Sequence, residues 1–146
     1  MPRSGSTLAF NVADKLTVTS SILTDSDVLI KAAEFDQTSP VITESGQISI
    51  EANSINVLNS LRVLSAPIDS RTVDISLTAT NGGVNLEGLI ESPNAIEISQ
   101  KGPSPSGVGG PSRLTANRLR VSAEGDVDVA TNVHTVVASS ENGRIK

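Results

Sequence analysis

Residues 114–125 read LTANRLRVSAEG, and residues 77–88 read LTATNGGVNLEG. Laid over each other without a gap, 37 residues apart, they share Leu-Thr-Ala, a central Val and a closing Glu-Gly. A weaker copy, IEANSINVLNSL at residues 50–61, keeps Ala-Asn, an aliphatic sixth residue and a Val eighth when set against 114–125. A chain that restates a short pattern at intervals of a few tens of residues builds layers, each too small to bury its own apolar face alone. The three starts are separated by 27 and 37 residues, and the longer interval contains KGPSPSGVGGPS, residues 101–112. Its Pro, Gly and Ser are unsuited to a central strand. With those twelve residues set aside the interval falls to 25, which predicts a coil of about 20–27 residues per rung with one inserted flexible loop at 101–112.

The apolar residues around these copies alternate in short bursts: Leu16/Val18, Val28/Ile30, Ile48/Ile50, Ile55/Val57, Leu61/Val63, Ile75/Leu77, Val84/Leu86, Ile96/Ile98, Leu119/Val121 and Val127/Val129. Each is an inward-outward-inward triplet, the period-2 mark of a half-buried strand. Ser, Thr, Asn, Asp and Gly fill the gaps, as turns require. Bursts at 48, 55 and 61 lie too close together for the strands of an ordinary sandwich. They fit one short strand on each face of a coil. The expected fold is therefore all-β, a single right-handed parallel β-helix over residues 1–146 with five to six rungs. At the usual strand spacing such a rod is roughly 25–30 Å long. Its core is expected from Ile48, Ile50, Ile55, Val57, Ile75, Leu77, Val84, Leu86, Leu119, Val121, Val127 and Val129. Asn53 and Asn117 share a repeat position, with Asn81 one residue off, so the three are candidates for a stacked Asn ladder. The other reading is that Asn simply tolerates the left-handed turn conformation.

Composition agrees with a thin, uniform core. The 146 residues are 37% hydrophobic, yet contain two Phe and no Trp or Tyr, so large aromatic anchors are missing and branched aliphatics must fill the interior. A net charge of −5, with eleven scattered Lys and Arg, argues against a nucleic-acid partner. The lack of stacking platforms argues against single strands and against sugar stacking. Without cysteine there is no disulfide framework and no thiolate metal site. No apolar run reaches the length of a membrane-spanning helix, and MPRSGSTLAFNVADK at the start is a poor secretion signal.

Chemistry is sparse. His134 is the single histidine, in an alternating segment, and a catalytic triad would need Ser and acid partners converging on it. Asp25/Asp27 and Asp126/Asp128 are carboxylates two residues apart, each pair on one side of a strand. Such pairs suit Ca²⁺ with further oxygen ligands, or hydrolysis of a polysaccharide. Bracketing buried-looking valines, they equally suit a solvated face. GVGGPS (107–112) lacks the Lys-Ser/Thr ending of a phosphate loop. The expectation is no cofactor, no metal and no enzyme activity. The loop, with Lys101, Pro103, Pro105 and Val108, is the candidate contact site, because excursions are where scaffolds display specificity.

The strings GQISIEANSINV (46–57), DISLTATNGGVNLEGLI (74–90) and EGDVDVATNV (124–133) resemble the degenerate repeats of filamentous haemagglutinin-type proteins, bacterial surface adhesins with parallel β-helix shafts. The resemblance covers Gly46 to Thr131 and rests on motifs generic to β-solenoids. The size and plan are also similar to bactofilins, short cytoskeletal β-helices, although their Gly-x-Ile/Val beats are denser. The resemblance implies a structural fibre or adhesin-shaft element at the cell surface, or alternatively a cytoplasmic filament. A β-helix ends in exposed strand edges that recruit another chain unless capped. The expected partner is thus a further copy stacked end to end, or the remainder of a longer solenoid, with a host or matrix polysaccharide as a possible ligand. The competing expectation is a carbohydrate-binding or carbohydrate-active β-helix that uses the Asp pairs.

Overall fold

The structure, a computed structural model, describes residues 7–25, 27–44, 46–64, 73–101, 108–140 and 145, without the side chains of residues 7, 110–112, 129, 130, 132 and 134. The described residues form fifteen strands and no helix. β1 (Thr7–Asn11), β2 (Lys15–Val18) and β3 (Ile22–Thr24) make the first turn of a coil. β4 (Asp27–Lys31), β5 (Glu34–Gln37) and β6 (Val41–Thr43) make the second. β7 (Ile48–Ala52), β8 (Ser54–Val57) and β9 (Leu61–Val63) follow, then β10 (Ile75–Ala79), β11 (Val84–Leu86) and β12 (Ile90–Glu91). β13 (Ala95–Gln100) opens the fifth turn, and the long β14 (Val108–Ala123) and β15 (Val127–Ser140) run around corners to complete the last ones.

All pairings are parallel and join each strand to its counterpart one turn away. Three faces result. β1, β4, β7, β10, β13, the end of β14 and the end of β15 stack on the first; β2, β5, β8 and β11 lead the second; β3, β6, β9 and β12 lead the third. The protein is a parallel β-solenoid of about six turns.

Register shows what repeats. On the first face the inward column runs Leu8, Val28, Ile48, Ile75, Ile96, Leu119 and Val136. Its steps are 20, 20, 27, 21, 23 and 17 residues. The repeated unit is aliphatic-x-aliphatic-x-Ala: VLIKA (28–32), ISIEA (48–52), ISLTA (75–79) and LRVSA (119–123), with IEISQ (96–100) as its variant. The 27-residue relation between Ile50 and Leu77 is therefore one true turn. The 37-residue relation is not. Leu77 stands on the first face and pairs with Ile98, whereas Leu114 stands on the third and pairs with Ile90. The resemblance between 77–88 and 114–125 crosses faces because every face uses the same aliphatic alternation.

Turn length varies where the first face meets the second. Between Ala52 and Ile55 the corner holds Asn53 and Ser54; one turn on it holds Thr80–Gly83; on the next, seven residues of sequence separate Gln100 from Val108, of which only Lys101 is described. The expected loop at 101–112 is thus narrower than its composition suggests. Residues 108–112 belong to β14, where Val108 and Gly109 pair with Val84 and Asn85 below and with Val127 and Asp128 above. The register shifts between Gly109 and Arg113, so the Gly-Gly-Pro-Ser segment bends the strand at a corner and does not leave the coil. Gly88 marks another tight corner. A Cβ there would collide with the backbone of Asn59 one turn below, so the close approach demands glycine.

The interior is a dry column of Val, Ile and Leu, with Phe35 the largest fully buried side chain. Ile48, Ile50, Ile55, Val57, Ile75, Leu77, Val84, Leu86, Leu119, Val121 and Val127 are all buried. The side chain of Val129, the twelfth expected core residue, lies outside the described ones. Each fully buried aliphatic contributes about 1.5–3 kcal/mol relative to exposure. The periodic burial of these residues, more than any single contact, sets the coil's cross-section.

Candidate functional site

The expected polar sites are dispersed. Asp25 and Asp27 are exposed where the first turn passes into the second, and Asp27 accepts a hydrogen bond from the Gln47 backbone at 2.8 Å. Asp126 and Asp128 are exposed beside β15, several turns away. No cluster of three or more His, Cys, Asp or Glu positioned to hold a metal ion occurs among the described residues. The backbone of His134 lies in β15 and its side chain is outside the described ones. Lys101 is exposed, and its amide bonds to the Ala79 carbonyl at 2.8 Å. Pro103 and Pro105 lie outside the described residues. Val108, expected as part of the contact loop, is instead core, 2% exposed in the column above Val84.

The expected Asn ladder divides between two corners. Thr80 stands on Asn53, its hydroxyl donating to Asn53 Oδ1 at 2.9 Å, and the Asn81 amide donates to the Asn53 carbonyl at 3.1 Å. Asn117 belongs to the corner between third and first faces, where its amide bonds to the Asn94 carbonyl at 3.0 Å. The separation follows from the same error of phase as the 37-residue alignment. At that second corner lies a buried group no repeat pattern announced. Asp74 is fully buried, and its carboxylate accepts from the Asn94 amide at 2.8 Å and from Asn94 Nδ2 at 3.2 Å. The Asn94 carbonyl in turn accepts from Arg118 N at 2.9 Å, so three successive turns are tied at their start.

Gln100 does the same at the first corner. It pairs with Ala79 one turn below, and its neighbour Ser99 pairs with Ser122 one turn above. Its Nε2 donates to the Gly82 carbonyl at 2.9 Å, and its Oε1 accepts from the Glu124 and Gly125 amides at 3.0 and 3.3 Å. One buried amide thus serves the backbone of three turns. Its signal in the sequence is the replacement of the expected Ala in IEISQ.

The outer faces carry short polar ladders. Lys15 Nζ lies 2.8 Å from Asp36, which also accepts from Asn56 Nδ2 at 2.8 Å. The hydrogen bond from Lys15, then that from Asn56, hold the Asp36 carboxyl below its usual range, and Asp36 raises Lys15 in return. Arg62 binds Glu91 through both Nε and Nη2, at 2.9 and 2.6 Å. Shallow grooves lie on two of the faces among the described residues. One, of about 270 Å³, includes Ala95, Glu97, Arg120 and Val137 on the first face. The other, of about 240 Å³, lies over Leu23, Ile42 and Leu64 on the third.

The ends of the coil differ most from its middle. In the first column Val28, Ile48, Ile75, Ile96 and Leu119 are 0–1% exposed, whereas the terminal members Leu8 and Val136 are 36% and 49% exposed. On the second face Ile145 bridges Val127 and is 50% exposed, while Val127 is fully buried. Leu8 and Val136 occupy core positions with no further turn over them among the described residues. The strand edges beside them are likewise free: β1, β2 and β3 each pair on one side only, and the end of β15 pairs only with β14.

No family model matches the chain, and neither a curated protein nor a solved structure matches it. No helix among the described residues is long and apolar enough to cross a membrane. Among the described residues the arrangement offers backbone edges and apolar column ends.

Proposed function

We propose that the chain is a structural fibre or adhesin-shaft element, without catalysis of its own, that extends by end-to-end β-stacking of solenoid units. The supporting observation is the half-exposed state of Leu8, Val136 and Ile145, in columns whose other members are almost wholly buried. A further turn placed at either end removes this apolar surface from water and pairs a row of amide and carbonyl groups. Contact between two different ends is heterologous, so it propagates into a filament and does not close on itself. In a longer solenoid the same two ends would continue into neighbouring turns by the same bonds. A shaft at the cell surface is the setting this reading implies.

Electron microscopy and light scattering of the purified chain across a concentration series test the reading. Unbranched filaments a few nanometres wide, lengthening with concentration, are the expected result. A monomer that persists at every concentration would overturn self-stacking.

A further inference from the structure

Resting on the stacking reading, the structure assigns both the partner and its seat: a second copy of this chain, whose β1 adds in parallel register to residues 135–139 of β15, with Leu8 over Val136 and Phe10 over Ala138.

Three observations lead there. The first is chemical. Exposed edge strands are ordinarily protected by Lys, by other charges or by Pro. β1 is TLAFN and residues 135–140 are TVVASS, so neither edge strand of the first face has a charge or a proline. Most strands between them do carry charge: Asp27 and Lys31 in β4, Glu51 in β7, Glu97 in β13, Arg118 and Arg120 in β14. On the first face protection is thus absent where an edge is open, whereas the open edge of β2 on the second face carries Lys15.

The second is shape. The next inward column of the first face runs Phe10, Ile30, Ile50, Leu77, Ile98, Val121, Ala138. It begins with the one aromatic of its face and ends with the smallest side chain of the column. A copy placed head to tail sets Phe10 above Ala138, so the widest member lies over the narrowest and the column volume is made up across the joint.

The third is length. β1 pairs over five residues with β4, and the end of β15 offers a stretch of six that pairs with β14 between Arg118 and Ala123. On the third face β15 pairs with β14 over four residues, 130 to 133, before the pairing is interrupted at 134. β1 matches the first face and overruns the third, which argues against a joint rotated by one face. The outward residues continue the match, since Ala9 comes to lie beside Val137, which is 54% exposed.

The chain has no cysteine, so paired substitutions report the seat directly. In-register neighbours on parallel strands have Cα atoms about 4.8 Å apart, within disulfide range. Leu8→Cys with Val136→Cys, mildly oxidised, is expected to give a ladder of covalent multimers on a non-reducing gel. Leu8→Cys with Val133→Cys, which reports a joint rotated onto the third face, is expected to give none. Val137→Lys, an outward and already exposed position, is expected to raise the concentration needed for assembly roughly tenfold by charging the edge. Unsubstituted chain that assembles, while the 8/136 pair fails to cross-link or the 8/133 pair cross-links as well, overturns this seat and leaves stacking standing. Unsubstituted chain that stays monomeric overturns both.

Discussion

Replacing Gln100 by Ala tests how the solenoid holds the corner that follows its first face. Ala79 is its register partner one turn below, so the backbone of this column accepts Ala without strain. What is lost is one donor to Gly82 and one acceptor shared by Glu124 and Gly125. Three hydrogen bonds at a net of about 1 kcal/mol each give about 3 kcal/mol. Gly125 is buried, and its stranded amide adds a desolvation penalty of about 1–3 kcal/mol. Against this, the freed glutamine rotamers return about 1.5–2 kcal/mol of side-chain entropy. A destabilisation of about 2–4.5 kcal/mol remains.

Solenoids gain stability turn by turn, so a global unfolding curve blurs a local loss. Amide hydrogen exchange reads it directly. The Glu124 and Gly125 amides are expected to exchange about 30- to 2,000-fold faster in the variant, while amides of β4 and β7 on the distant turns keep their rates. A urea midpoint shifted to lower concentration with an unchanged slope should accompany this. Unaltered exchange at both residues, with stability within about 0.5 kcal/mol of the parent, would show that water replaces the glutamine amide and that the corner needs no staple.

Other positions give predictions of different sign. Gln37 is fully buried with Oε1 unpartnered, while its Nε2 bonds to the Ser60 carbonyl, which also accepts from the Val41 amide at 3.0 Å. Gln37→Leu removes the orphaned oxygen, leaves Ser60 paired and restores an aliphatic between Val18 and Val57, so urea unfolding should show a gain of about 1 kcal/mol. Asp36, held below its ordinary 3.8 by Lys15 and Asn56, stabilises the fold above that pH and ceases to do so as acid protonates the folded carboxyl. Lys15, raised above 10.5, stabilises the fold below that pH and loses its contribution in stronger base. Asp36→Asn should therefore be less stable than the parent at pH 7 by under about 1 kcal/mol, since the pair is partly solvated, and the difference should shrink as acid protonates the folded carboxyl.

The aliphatic doublets made the strands legible, because inward-outward-inward burial is a local property that survives any error in counting turns. Ile48/Ile50, Ile75/Leu77 and Leu119/Val121 were identifiable as core without knowing which strand pairs with which. Phase was harder to read. A gapless comparison assumes turns of equal length, and this coil adds residues at one corner by differing amounts: Asn53-Ser54, then Thr80–Gly83, then the seven residues of sequence between Gln100 and Val108. Any alignment carried across those insertions slides from one face to another, as Leu114 does against Leu77. Because all three faces use the same alternation, the slide leaves no hydrophobic penalty to betray it. The five-residue unit ending in Ala avoids the difficulty, since it lies within one strand and ends just before the variable corner. Aligned that way, IEISQ stands out as the odd member, and the stapling amide becomes visible.

The composition of the edges follows from the same reasoning and bears on assembly. Interior strands may carry charge outward because their edges are already paired, so Asp27, Glu51 and Arg120 add solubility and do not weaken any joint. A terminal strand has no such freedom. A charge there opposes the next turn, and its absence lets the next turn form. The two edge strands TLAFN and TVVASS carry neither Lys nor Pro. Their neutrality, together with the large-to-small taper from Phe10 to Ala138, is what a repeating joint requires.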